Sequence, residues 1–192
     1  MKKFLLLISI PLLLTGCFGS SDTSTTDTTF SNPNYNTYEG TGFSIPYPKD
    51  WGIIDGKSFT SNVPAETIVA FRNNIKNEVF TANTNISKTQ IPETITSEDF
   101  GKSTLLKSKE SLVGFNELSK EEISFLYGTL EIKTFISGFE GKKTPSDPVV
   151  RFKQLYLANQ GEGYVITSAY LPTEDESVVK MCDEMLHSFS LK

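Results

Sequence analysis

Cysteine, histidine and tryptophan are nearly missing from the 192 residues: the chain has two cysteines, one histidine and one tryptophan. Two thiols cannot build a four-cysteine metal site or a disulfide framework. With His187 as the sole imidazole, a Ser-His-Asp triad or a histidine-rich metal centre would have to be built on it alone. Runs of Lys and Arg are absent too, and 23 acidic residues face 18 basic ones. A polyanion needs a clustered basic face for counterion release, so nucleic acid is excluded as a partner. The one strongly apolar stretch, Phe4 to Leu14, is too short to span a hydrocarbon core of ~30 Å stably as a helix.

What that stretch does have is the right flanks. Lys2 and Lys3 precede it, and Leu14, Thr15 and Gly16 lead into Cys17. The whole resembles a bacterial lipoprotein signal peptide, with Leu14, Thr15 and Gly16 as the signal peptidase recognition residues. The resemblance implies that residues 1–16 are removed and that Cys17, as the new N-terminus, carries a diacylglyceryl group on its thiol. Its partner is then the lipid bilayer, through acylated Cys17. Each buried methylene contributes ~0.8 kcal/mol, so two or three acyl chains anchor far more firmly than one. The expected location is the cell membrane or outer membrane, lipid-anchored and facing outside the cytoplasm.

Removal of residues 1–16 takes away Lys2 and Lys3, leaving 16 basic residues against 23 acidic and a formal charge of −7. Residues 17–38 are rich in Ser, Thr and Asn and show no apolar periodicity, so they read as a lipidated flexible tether unable to offset chain entropy by burial. Residues 39–192 are the size of one ordinary domain with one core.

Within that domain, Phe43, Ile45 and Tyr47 alternate with Ser44 and Pro46, predicting a short strand that ends in a turn at Pro48, Asp50 and Gly52 around Trp51. Thr67 to Arg72 and Val79 to Ser87 predict a hairpin. Ser97 to Ser111 predicts a helix, capped by Thr96 or Ser97 and weakened by Gly101. Four further strands follow: Phe115 to Phe125, Thr129 to Ser137, Val149 to Ala158 and Tyr164 to Tyr170, separated by Gly and Pro signals and expected to form an antiparallel meander. A capping box from Thr173 to Glu176 opens a closing amphipathic helix with Val179, Cys182, Leu186 and Phe189 on one stripe.

Strands, helix, meander, helix is an α+β order: a single antiparallel β-sheet of about six to seven strands packed with helices. Gly42 to Trp51, reading Gly-Phe-Ser-Ile-Pro-Tyr-Pro-Lys-Asp-Trp, is similar to the opening strand and turn of PsbP-like domains. The strand led by Gly128, the strand Tyr164 to Thr167 and a last helix ending in Ser188-Phe189 agree with that family. The resemblance implies a PsbP-like α/β/α sandwich over 39–192. It also implies a non-enzymatic role, since known members mostly bind proteins.

No constellation of side chains argues against that. His187 lies near the end of a helix, where a protonated imidazole complements the helix C-terminus. A pairing of His187 with Asp183 is the only helical metal geometry available to it, and a solvated charge pair explains the spacing better. Gly101-Lys102-Ser103 lacks the glycine a phosphate loop needs at position 96, and Ser177 to Lys180 reads as an exposed helix turn. Glu174, Asp175 and Glu176 suit a helix start. Cys182 reads as a small buried hydrophobe and Trp51 as a plug at the end of the core. No catalytic residue, metal site or cofactor is therefore expected. The favoured function is a membrane-anchored, non-catalytic protein-interaction or assembly module of the cell envelope, meeting an envelope protein partner through a projecting loop, Gly138 to Pro148. The alternative is an envelope small-ligand carrier or sensor with a cleft beside the sheet. An enzyme would require titratable groups clustered in a pocket.

Overall fold

The computed structural model describes residues 30–58 and 66–192. The expectations for the signal peptide and for Leu14, Thr15, Gly16 and Cys17 lie outside the described residues. Among the described residues ten strands and two α-helices, with a short 3-10 turn at Gly56–Ser58, follow in the order β1 (Tyr35–Gly40), β2 (Phe43–Pro48), β3 (Gly52–Asp55), β4 (Thr67–Arg72), β5 (Asn83–Gln90), α1 (Ser97–Ser111), β6 (Val113–Tyr127), β7 (Leu130–Lys142), β8 (Val150–Asn159), β9 (Glu162–Tyr170), α2 (Glu176–His187) and β10 (Ser190–Leu191). Among the described residues no helix is long and apolar enough to cross a membrane.

Seven strands form one antiparallel sheet in the order β3-β4-β5-β9-β8-β7-β6. The hairpin of β4 with β5 and the meander from β6 to β9 are as the alternation predicts. The single-sheet expectation needs correction, because β1, β2 and β10 make a second, three-stranded sheet. Pro46 and Pro48 of β2 have no N–H to donate, which limits how β2 can extend a ladder. The C-terminal residues instead return to it, pairing Leu191 with Phe43 and Ser190 with Ser44. The tether boundary at residue 38 is corrected as well: Tyr35 pairs with Pro48 and Tyr38 with Ile45, so residues 35–38 belong to the folded body. Tyr38 is held there by an edge-on contact with Phe71 at 5.6 Å.

The two faces of the large sheet are unequally filled. On one side Phe71, Ile86, Leu155 and Ile166 pack beneath α2 and the small sheet, joined by Phe43, Ile45, Cys182, Met185 and Phe189. Trp51, 4% exposed, closes this core as expected. The other side carries a small cluster of Phe100, Phe135 and Tyr156 under α1 and a stack of Phe115, Phe139 and Phe152.

Local chemistry sets the helices. Thr96 caps α1 by accepting the Asp99 N–H at 3.1 Å, and the Ser97 hydroxyl accepts the Ala158 N–H at 2.8 Å, pinning the helix to the end of β8. The cap of α2 is a correction: Asp175, not Thr173, accepts the Ser177 N–H at 2.8 Å. Starting there puts Val178, Cys182, Met185 and Leu186 on the buried stripe and leaves Val179 half-buried. The expected projecting loop is shorter than predicted, because β7 runs on through Lys142 and only residues 143–149 connect it to β8.

At the opposite end of the sheet Lys88 and Glu162 form an ion pair at 2.7 Å, with the Tyr164 hydroxyl donating to the same carboxylate at 2.7 Å. The hydrogen bonds from Lys88 and Tyr164 hold the Glu162 carboxyl below its ordinary value. A depressed folded-state pKa adds stability above the unfolded value of 4.5, and that stability is lost as pH falls through the lowered one. Denaturant melts between neutral pH and pH ~3 should therefore show a shallower acid loss for Glu162→Gln than for the parent chain. Equal slopes would contradict the assignment.

Candidate binding trough

α1 packs chiefly on β7 and β8, with Phe100 set against Gly163 of β9, so among the described residues the part of the same sheet face built from β3, β4 and β5 has no helix packed on it. Strand alternation decides what lies exposed there. Thr84 and Ile86 of β5 point into the main core, so Asn83, Asn85 and Ser87 point the other way. In β9, Ile166 and Ser168 are interior while Thr167 and Ala169 face the trough. Ala70 of β4 adds a second small residue to the floor. Large side chains at these positions would have filled the space; alanine and asparagine leave it open.

One cleft of about 620 Å³ lies over this floor. Its walls are Ile54, the residues Val79 and Phe80 of the β4–β5 connection, Pro148 and Val150 beside the 143–149 turn, and Phe152. Arg72, Lys143 and Asp147 supply charge at its rim. Asp147 is engaged within its own turn, accepting the Thr144 N–H at 2.8 Å. A second cleft of about 610 Å³ continues alongside α1, between Phe139 and Phe152 on the sheet and Thr104, Lys107 and Ser108 on the helix. Asn85, Phe152 and Thr167 line both, so the two make one continuous trough.

A hydrogen-bonded ladder runs across the floor. Ser137 donates to the Tyr156 hydroxyl at 2.6 Å, Tyr156 donates to Gln154 at 2.9 Å, and the Gln154 amide donates to Thr167 at 3.0 Å. Burial pushes the Tyr156 hydroxyl well above the ordinary phenol range, so it stays a neutral donor at any physiological pH. The ladder orients Gln154 and Thr167 beneath whatever occupies the trough.

Residues singled out in the sequence lie elsewhere. His187 is exposed near the end of α2 on the other face; Nδ1 is 2.8 Å from the Asp183 carbonyl and Nε2 is 3.1 Å from Glu121. Asp183 is ion-paired to Lys153 at 2.6 Å rather than turned to a shared metal position. Among the described residues no three His, Cys, Asp or Glu side chains converge to hold a metal ion. Cys182 is fully buried, and burial pushes its thiol up to about 12. Gly101, Lys102 and Ser103 lie inside α1, and Ser177 and Lys180 lie in α2. Reading strands by their apolar face passed over Asn83, Asn85, Thr167, Ala70 and Ala169 as a solvated surface. The available signal was that small and amide side chains recur on the outward face of strands central to the sheet.

No family model matches the chain, and no curated protein matches it in sequence. Among solved structures it is similar to that of CyanoP, the cyanobacterial PsbP of Synechocystis, with a TM-score of 0.58 and 16% identity over 86% of this chain and 96% of that one. Looser alignments are found with LpqN, involved in cell envelope biogenesis of Mycobacterium tuberculosis (TM-score 0.48, 14% identity, 82% and 90% covered), and with a protein of unknown function from Pseudomonas aeruginosa (TM-score 0.49, 12% identity, 80% and 96% covered). The fold is PsbP-like, which the likeness to CyanoP establishes and which extends no further than fold.

Proposed function

We propose that this chain is a non-catalytic binding module of the cell envelope, anchored to a membrane through acylated Cys17 and recognising an envelope component in the trough beside α1. The observation that carries the reading is the uncovered sheet face: a cleft of about 620 Å³ with apolar walls and a few polar groups, the usual make-up of a ligand site. The 143–149 turn supports a cleft over a protruding contact, since Lys143, Asp147 and Pro148 line the cleft's edge. Arg72, Lys143 and Asp147 line the trough with no histidine or cysteine among its described lining residues, and the chain's one histidine sits on the other face, which supports binding over catalysis. A lipid tether holds such a module near its target and raises the effective concentration there.

Two measurements test this. Cys17→Ser should shift the protein from the membrane to the soluble fraction; continued membrane association would contradict the anchor. A photocrosslinker placed at exposed Val79 should capture a discrete envelope component in intact cells, and Ala169→Phe, which fills the floor, should abolish that capture. Capture indifferent to Ala169→Phe would contradict the trough.

A further inference from the structure

The trough reads as a binding surface, and resting on that reading its charges identify what binds. Its walls are apolar except at one end, where Arg72 closes β4 and Lys143 follows β7. Neither cation has an ion-pair partner among the described residues. The one acid in the same lining, Asp147, accepts the Thr144 N–H and keeps its charge, so the lining carries two cations against one carboxylate. A net positive rim beside apolar walls matches one chemistry.

We infer that the cleft takes an anionic amphiphile: a carboxylate or phosphate head held by Arg72 and Lys143, with an alkyl chain lying between Phe80, Val150 and Phe152. A guanidinium grips a carboxylate or phosphate with two parallel hydrogen bonds, and Lys143 adds a second, mobile cation. Ala70 and Ala169 leave depth for methylenes beneath that head. Asn83, Asn85 and Thr167 would orient the ester or hydroxyl groups that join head to chain. A cationic head would meet net positive charge here, and a neutral one would leave that excess without a counter-charge.

The course of the chain names the source. Lys49 donates its N–H to the Asn34 carbonyl at 3.0 Å, the Asn74 amide donates to the Asp50 carbonyl, and Gly52 pairs with Arg72. Asn34 thus sits at the same end of the folded body as Arg72, and with the anchor proposed above the amphiphile is a lipid of the anchoring membrane rather than a free anion in solution.

Calorimetric titration of the mature chain carrying Cys17→Ser tests this, with dodecanoate and dodecyl phosphate below their micelle concentrations and with dodecyl maltoside and inorganic phosphate as controls. Saturable one-site binding of the two anionic amphiphiles is expected. The combined Arg72→Gln and Lys143→Gln variant should weaken it roughly tenfold or more, as lost charge-assisted hydrogen bonds do. Val79→Asp, at a rim position 62% exposed and therefore harmless to folding, should weaken it in the same direction. Dodecyl maltoside binding as tightly as dodecyl phosphate, affinity unchanged in the double variant, or inorganic phosphate alone matching the amphiphiles would each overturn the inference. Absent amphiphile binding together with crosslinked capture still lost in Ala169→Phe would overturn this inference while leaving the binding module standing. Capture and amphiphile binding both unaffected by Ala169→Phe would remove the trough itself.

Discussion

Phe43→Ala should destabilise the domain by about 3–5 kcal/mol, the range for truncating a buried phenylalanine whose site cannot collapse. Phe43 is 1% exposed and stacks on Phe189 at 5.5 Å, with Tyr164 edge-on at 6.0 Å and Tyr38 at 6.1 Å. The backbone crowds the same ring, since a Cβ at Gly40 would overlap it. These neighbours come from β1, β9 and the segment after α2, so the lost ring leaves a hole where both sheets and the C-terminal return meet. Denaturant unfolding monitored through Trp51 measures the loss. A change under about 1 kcal/mol would mean that the small sheet is not locked to the large one through this ring.

The second large effect is expected at Gly101. In a helix interior glycine is unfavourable by ~1 kcal/mol relative to alanine, so sequence rules alone would have any side chain stabilise α1. The packing reverses the sign. A Cβ at Gly101 would stand 2.8 Å from the Phe135 ring and 2.9 Å from the Tyr156 ring, both buried. Gly101→Val must therefore lift α1 or turn two aromatics, and overpacking of that kind costs roughly 1–3 kcal/mol or more. In a domain of this size that is a fall in melting temperature of roughly 3–10 °C. A stabilised variant would show that α1 sits higher above the sheet than these distances say. The same variant bears on function, because a lifted α1 widens the trough between Thr104 and Phe152.

How much of this could be read in advance depends on which forces act locally. The helix Ser97–Ser111 is legible because a cap and a run of helix formers act over a few residues. The meander is legible because alternation and glycine turns are short-range. Two boundaries were misread for the opposite reason. The strand Tyr35–Gly40 lies in a Ser/Thr/Asn-rich stretch whose composition says tether; what orders it is pairing with β2, reinforced by the Tyr38–Phe71 contact. At the start of α2, Thr173 and Glu176 satisfy the capping-box spacing, yet Asp175 caps, because burial of Val178, Met185 and Cys182 sets the rotation of the helix.

The trough was the least legible feature. Asn83, Asn85 and Thr167 look like ordinary outward-facing strand residues, and whether such a face is bare, covered or hollow depends on where a helix far along the chain comes to rest. Arg72 ends β4 and Lys143 opens the connection after β7, a strand not adjacent to β4 in the sheet, and nothing in their local sequence links them.

The sequence by itself determined the order and type of β2, of β4 to β9 and of both helices, the α+β class, the resemblance to PsbP-like domains and the lipoprotein-like N-terminus, because each is written in contiguous residues through periodicity, turn chemistry and motif; β1, β3 and β10 were not legible in it. Only the tertiary structure decided that β1, β2 and β10 form a second sheet, that α1 rests chiefly on β7 and β8, and that Arg72 and Lys143 line one cleft on the same face. Those outcomes depend on which distant surfaces exclude water together, and that competition is resolved only when the whole chain has packed.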